Sequence, residues 1–231
     1  MKYVMVITGT RKGIGRYLAE YYLEKGNTVI GCSRLPSDLE HNSYHHEICD
    51  VTDESIVRGL FHKILKRENK IDVLLNNAGI ASMNHILTTP LKTVEELIST
   101  NYIGTFLFCR EAAKVMARKK YGRIVNFGTI ATDLKLEGEA IYASSKAAVT
   151  NLTQIMGREF SPLGITVNAI CPTPTKTDLV RNVPEDKMEK IIARQGIHRF
   201  TEMRDISNVV DFFISENSDF ITGQILNLGG V

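Results

Sequence analysis

Tyr142 and Lys146 stand four residues apart in Tyr142-Ala143-Ser144-Ser145-Lys146. On a helix that spacing stacks a phenol and an ammonium on one face. A free tyrosine gives up its proton only near pH ~10, too high for a proton shuttle at neutral pH. A cation held close favours the phenolate, so Lys146 is expected to lower the Tyr142 pKa and fit it for general acid–base work. Far upstream, Thr8-Gly9-Thr10-Arg11-Lys12-Gly13-Ile14-Gly15 follows a short apolar run and leads into a helix-length stretch. Glycines at a strand-to-helix turn let the backbone approach a pyrophosphate closely. The helix start adds unpaired N–H groups and a positive dipole end, so this turn reads as a nucleotide site.

The second strand-like run ends Gly31-Cys32-Ser33-Arg34. Sites of this kind place an acidic residue about 20 positions beyond the glycines to hold a ribose 2′-hydroxyl, or an arginine to accommodate a 2′-phosphate. No carboxylate occupies that strand end. Ser33 and Arg34 there, with Lys12 as a second cation, favour NADP(H) over NAD(H); Asp38 and Glu40 follow closely and leave a ribose contact open.

These groups need a scaffold. Short apolar runs recur at Val4–Ile7, Thr28–Cys32, Ile71–Leu75, Arg123–Phe127, Ile165–Ile170 and Gln224–Leu228, with a weaker one at Tyr44–Ile48. They are continuous rather than alternating, as strands buried on both faces of a parallel sheet require. Helix-length stretches lie between them at Gly13–Lys25, Asp53–Arg67, Val94–Lys119, Ile141–Phe160, Glu185–Gln195 and Arg204–Glu216. The alternation predicts an α/β fold: a three-layer, doubly wound parallel sheet of about seven strands, of the Rossmann type. Residues 1–231 are expected to form one dinucleotide-binding domain. The irregular stretch 172–199, with Pro172, Pro174 and Pro184, is the expected lid.

Composition narrows the function. Of 231 residues, 28 are Lys or Arg and 26 Asp or Glu, and the resulting net charge of +2 gives no field that would draw nucleic acid or an anionic membrane. A strand-like run begins at Lys2 and no apolar run approaches the ~18 residues a bilayer demands, so a soluble, cytoplasmic protein is expected. Cys32, Cys49, Cys109 and Cys171 lie in apolar surroundings without metal-ligand spacing and read as reduced core residues, and no metal site is expected.

Together, Thr8-Gly9-x-x-x-Gly13-x-Gly15, Asn76-Asn77-Ala78-Gly79, Asn101 and Tyr142-x-x-x-Lys146 resemble the short-chain dehydrogenase/reductase family in its simple single-domain branch, close to its 3-oxoacyl reductases. The resemblance spans nearly the whole chain. It implies hydride transfer between nicotinamide and a carbonyl or alcohol carbon, with Tyr142 as acid–base and Lys146 on the nicotinamide ribose. Asp50 and Val51 would flank the adenine; Asn77, Ala78 and Gly79 would line the middle of the cofactor. Asn101 would kink its helix and carry a water between the lysine and solvent. Thr129, thirteen residues before the tyrosine, stands where the family usually has serine, and keeps a hydroxyl donor. Pro172, Thr173 and Thr177 would meet the nicotinamide carboxamide. Thr173 replaces a glycine common in relatives, and its bulk is expected to reshape that approach. Asn227 takes a place often held by aspartate.

The substrate-side loops, 80–85, 130–140 and 173–199, mix Met83, Leu134 and Leu136 with Asp133, Lys135 and Glu137, and single out no substrate beyond a small carbonyl or alcohol. His85 and His198 read as solvated. Lys120 resembles a residue that docks acyl carrier protein, but Leu163 occupies a second docking position, so that partner is not supported. A homodimer or homotetramer through the two long helices is expected by resemblance. Two other classes remain open at this point: a nonenzymatic dinucleotide sensor or scaffold, which would have no use for the Tyr–Lys pair, and a methyltransferase on a similar sheet.

Overall fold

The computed structural model describes residues 2–178 and 183–230. Seven strands form one parallel sheet: β1 (Val4–Thr8), β2 (Thr28–Ser33), β3 (Tyr44–Ile48), β4 (Val73–Asn76), β5 (Gly122–Phe127), β6 (Ile165–Cys171) and β7 (Ile225–Asn227). Their order is β3-β2-β1-β4-β5-β6-β7. The chain runs outward through β2 and β3, then returns to pair β4 on the other side of β1. That reversal opens a crevice at the carboxyl ends of β1 and β4, the position where doubly wound sheets take ligands.

Successive strand residues point to opposite faces, and both faces are covered, which is why the runs are apolar throughout. Val6, Ile30, Leu74, Ile124 and Val167 face one layer, with Ile64 and Phe61 of α2 (Glu54–Glu68) and Phe108 and Met116 of a long central helix. Met5, Ile7, Val29, Val73, Leu75 and Val125 face the other. There Leu18 and Tyr22 of α1 (Gly13–Glu24) and Val210 and Phe213 of α8 (Met203–Ile214) close the core.

Three elements depart from the sequence expectation. The stretch Val94–Lys119 is not one helix. It consists of α3 (Leu91–Ile98), a π-helical turn at Ser99–Ile103, α4 (Gly104–Met116) and a 3₁₀ turn at Ala117–Lys119. The extra residue per turn accommodates Asn101, whose side chain serves another loop. A four-residue helix, α5 (Ala131–Leu134), precedes α6 (Ala140–Glu159). And α7 (Glu185–Ile192) stops three residues short of Gln195, because the Gly196 and Ile197 amides donate instead to the carbonyls of Gly230 and Gly229. Of the expected lid, residues 179–182 lie outside the described ones. Among the described residues, no helix is long and apolar enough to cross a membrane.

Candidate active site

The glycine turn after β1 is shaped by close contact. Gly9 and Gly13 have φ of +75° and +61°, a region that disfavours any side chain. At Gly15 the constraint is space: a Cβ there would lie 2.4 Å from both the Gly9 carbonyl oxygen and the Asn77 amide nitrogen. No side chain caps the start of α1, so the N–H groups of its first turn, those of Gly13, Ile14 and Gly15, have no partner from a capping residue. An anion is the group such a cradle suits.

Neighbouring loops brace it. Asn77 donates to the Thr8 carbonyl (2.9 Å), and the Ala78 amide donates to the Thr8 hydroxyl (2.8 Å). Thr177 hangs over Gly13, its methyl 3.6 Å from where a Cβ would stand. Lys12 forms an exposed ion pair with Asp178 (2.6 Å), joining the glycine turn to the stretch beyond β6. Arg34 and Arg11 are exposed, and Arg16, which sequence reading passed over, pairs with Asp38 and Glu20. Asp38 is therefore engaged by an arginine of α1. Asp50 turns its carboxylate to the Thr52 amide and hydroxyl, while Val51 packs on Gly104 within the core. Asp53 caps the helix that follows.

The Tyr–Lys pair sits at the start of α6. Tyr142 lies in the first turn and is half-buried; Lys146, one turn deeper, is 4% exposed. The Lys146 ammonium donates to the Phe127 carbonyl at the end of β5 (2.7 Å), and burial pulls its pKa down to about 8. Burial pushes the Tyr142 hydroxyl up to about 12. The Thr129 hydroxyl opposes that rise by hydrogen bonding, whereas the Glu139 carboxylate adds to it. The expectation that Lys146 lowers the Tyr142 pKa is thus corrected. Desolvation of the phenol outweighs any help from an amine that is turned toward a backbone carbonyl.

Asn101 explains the π turn. It is fully buried, accepts from the Ile80 amide and donates to the Ile80 carbonyl and the Ser145 hydroxyl, each at 2.9 Å. Ser145 in turn donates to the Tyr142 carbonyl (2.7 Å). Asn101 therefore ties the loop after β4 to the helix carrying the pair. Gly79 passes directly above: a Cβ on it would be 3.1 Å from the Asn101 side-chain oxygen and 3.3 Å from the Lys146 nitrogen. Ser145 was missed in the sequence, although it stands between the two residues that carried the argument.

Thr129 is 8% exposed and accepts from the Ala131 amide (3.3 Å), which starts α5. Thr173 does not crowd the crevice as expected. Its side chain turns away, bonding the Thr201 hydroxyl and filling the space above Gly229, where a Cβ would lie 2.6 Å from its methyl. Asn227 donates to the Asp133 carboxylate, so aspartate at 227 would set two carboxylates face to face. Leu134 is buried beside Ile130, Cys171 and Ile191. His85 and His198 are exposed, and all four cysteines are buried and free.

A doubly wound parallel sheet, a glycine cradle at its switch point and a Tyr–Lys pair across the crevice define a dinucleotide-dependent oxidoreductase. Residues 9–230 match the family model described as enoyl-(acyl carrier protein) reductase, and the chain belongs to the short-chain dehydrogenase/reductase family. Its chemistry is therefore the interconversion of CH–OH and C=O. Among curated relatives, the 3-oxoacyl-[acyl-carrier-protein] reductase FabG of Escherichia coli is 29% identical over 98% of this chain and 96% of its own. The structure of ElxO with NADP bound superposes with a TM-score of 0.90 at 29% identity, covering 99% of this chain and 97% of that one. That of 4-hydroxyisoleucine dehydrogenase complexed with NADH gives 0.86 at 26% identity, covering 99% and 98%.

Proposed function

We propose that this protein is an NADP(H)-dependent reductase or dehydrogenase of small carbonyl or alcohol substrates, with Tyr142 as its general acid–base. The observation that carries the reading is the convergence of Tyr142, Thr129 and Lys146 at the strand ends, across from an uncapped glycine cradle. The cradle suits a pyrophosphate, so the residues present fit a dinucleotide: Gly9, Gly13, Ile14 and Gly15 at the phosphates, Ser33 and Arg34 with Arg11 and Lys12 at the 2′ end, Asp50 and Val51 at the adenine, Asn77, Ala78 and Gly79 at the centre. Pro172, Thr173 and Thr177 stand at the nicotinamide end, Thr173 through its backbone. Such a cofactor supplies the hydride chemistry. Tyr142 delivers a proton to the carbonyl oxygen, or removes one from the alcohol. Thr129 donates a hydrogen bond to the same oxygen as charge develops on it. Lys146 exchanges its bond to Phe127 for the nicotinamide ribose, and Asn101 holds the loop and helix that carry it.

The preference for NADP(H) rests on Arg34 and the absence of a carboxylate at the end of β2; NADP and NADH are each bound by a structural neighbour. The stretch 172–199 is assigned as a lid, latched by Lys12 and Asp178. Ile103, Phe106 and Ile155, exposed on the central helices, support self-association there, and acyl carrier protein is not proposed as a partner.

Separate titrations with NADPH and NADH, followed by a screen of ketones and alcohols by nicotinamide absorbance, test the reading. Tighter binding of NADPH is expected, and equal affinity would remove the phosphate role of Arg34 and Lys12. Gly15→Ala is expected to weaken dinucleotide binding by at least about tenfold and to destabilise the fold by about 2 kcal/mol, because the added methyl meets backbone. Thr129→Ala should cost about tenfold to a hundredfold in kcat while Thr129→Ser retains most of it. An alanine variant with full turnover would take Thr129 out of the scheme.

A further inference from the structure

Beneath the end of β2 lies a hydrogen-bonded chain whose inner members, Thr10, Tyr44 and His46, the proposed function leaves unused. The Thr10 hydroxyl in the glycine turn is 2.8 Å from the Tyr44 hydroxyl, and Tyr44 is 2.9 Å from His46 Nδ1. On the far side of the imidazole, Nε2 lies 3.0 Å from the Leu35 carbonyl and 3.1 Å from the Ser33 hydroxyl. Ser33 itself donates to the Leu35 carbonyl at 2.6 Å. Because that carbonyl can only accept, and the single Ser33 proton is committed to it, Nε2 must be the protonated nitrogen. In the neutral ring Nδ1 then accepts from Tyr44, and Tyr44 accepts from Thr10.

The sequence has made room for this chain. Gly31, in the middle of β2, lies directly against it: a Cβ there would stand 2.4 Å from both the Thr10 and the Tyr44 oxygens. Any other residue at 31 would push the tyrosine out. Thr10 is fully buried and Tyr44 nearly so, so the bond between them is sheltered from water, whereas the bonds around His46 are partly buried or exposed and the turn they reach, through Arg34 and Leu35, is exposed. The sheet thereby holds an exposed turn in one shape.

We propose that Tyr44 and His46 are positioning residues for the Ser33–Leu35 turn, and through it set the discrimination between ribose bearing a 2′-phosphate and ribose bearing a 2′-hydroxyl. The inference rests on the dinucleotide reading above and deepens it. Ser33 and Arg34 occupy the place where the 2′ group is read, and neither is fixed by an ion pair to any described residue. Their placement depends on the bonds from Ser33 and Leu35 down to His46. Loss of the chain should therefore act on the ratio of affinities for the two dinucleotides, because the glycine turn keeps its bonds to Cys32 and Asn77 when the Thr10 hydroxyl loses its partner, and the Tyr142 end makes no contact with the chain.

The test measures dissociation constants for NADPH and NADH, by cofactor fluorescence, in wild type, Tyr44→Phe, His46→Leu and His46→Gln, alongside thermal unfolding midpoints and kcat at saturating cofactor. Tyr44→Phe and His46→Leu should each change the NADH-to-NADPH ratio of dissociation constants by about fivefold or more, the scale of one lost hydrogen bond, with kcat unchanged. His46→Gln, whose amide can still donate to the Leu35 carbonyl, should recover much of the wild-type ratio. A ratio within about twofold of wild type in Tyr44→Phe, which removes one oxygen and keeps the ring, overturns the proposal, as does a loss that falls equally on both cofactors. The wild-type ratio judges the cofactor preference separately: a value near one would overturn that preference, while a shift among the variants would still support the positioning role. Failure of wild type to bind either dinucleotide would overturn both.

Discussion

Replacing Tyr142 with phenylalanine is expected to lower kcat by about 10³-fold while leaving the dissociation constant for the dinucleotide within about twofold. Removal of a general acid–base group typically costs between about 10² and 10⁴. Tyr142 should fall well inside that range because burial keeps its proton in place up to about 12, so at neutral pH the phenol is a poised donor. The variant keeps the ring and loses only the hydroxyl. Direction matters for the pH dependence. Carbonyl reduction uses the protonated phenol, so this group should give no loss of rate between about pH 6 and 8. Alcohol oxidation needs the phenolate and should accelerate as pH rises over the same interval. Steady-state rates in both directions, with cofactor binding measured in parallel, check this, and substantial turnover by the phenylalanine variant would remove Tyr142 from the mechanism.

Lys146→Met should lower kcat by about 10²-fold or more and yet give a protein that is more stable at neutral pH. The ammonium is buried and its pKa is drawn from 10.5 down to about 8. Between those values the unfolded chain holds a proton that the folded chain has released, so stability rises with pH across about 8 to 10.5. Below that window both states carry the charge, and the folded state bears the full desolvation cost, about 3 kcal/mol at ~1.4 kcal/mol per pKa unit. Methionine removes this cost and fills similar volume, but it leaves the Phe127 carbonyl without its donor, a loss of about 1–2 kcal/mol. The net expectation is a gain of about 1–2 kcal/mol near pH 7 that disappears toward pH 10.5. Urea unfolding at several pH values reads it. A variant less stable than wild type at pH 7, or a difference that does not change with pH, would mean that Lys146 is not strained by burial. The gain would place this residue among those kept for function at the expense of stability.

Much of the fold was legible because the sheet is buried on both faces, which turns each strand into an uninterrupted apolar run. Even the weak run Tyr44–Ile48 coincides with β3. What sequence could not register were features set by tertiary contact. Asn101 stood out as a poor helix former, but nothing local announced that it would bridge Ile80 and Ser145 and force a π turn between α3 and α4. The helix Ala131–Leu134 is too short to show a period and depends on the Thr129 hydroxyl at its start. The candidate site was legible in its membership and less so in its energetics. Four-residue spacing brings Tyr142 and Lys146 to one side of α6, yet spacing alone could not reveal that the ammonium meets the end of β5, or that burial would govern the phenol. Likewise Thr173 reads as added bulk at the crevice until Gly229 is seen to receive it.

The account turns on the enclosed phenol and the buried amine flanking the reactive end of a dinucleotide whose phosphates rest on the glycine turn. A crystal structure of the protein with NADPH measures this directly. The account predicts the pyrophosphate at the Gly13–Gly15 amides, the Lys146 nitrogen moved from the Phe127 carbonyl to the nicotinamide ribose, and the Tyr142 and Thr129 hydroxyls converging within hydrogen-bond reach of one point above the nicotinamide ring. A dinucleotide seated elsewhere, or a nicotinamide ring beyond the reach of Tyr142 with Lys146 still bound to Phe127, would contradict it.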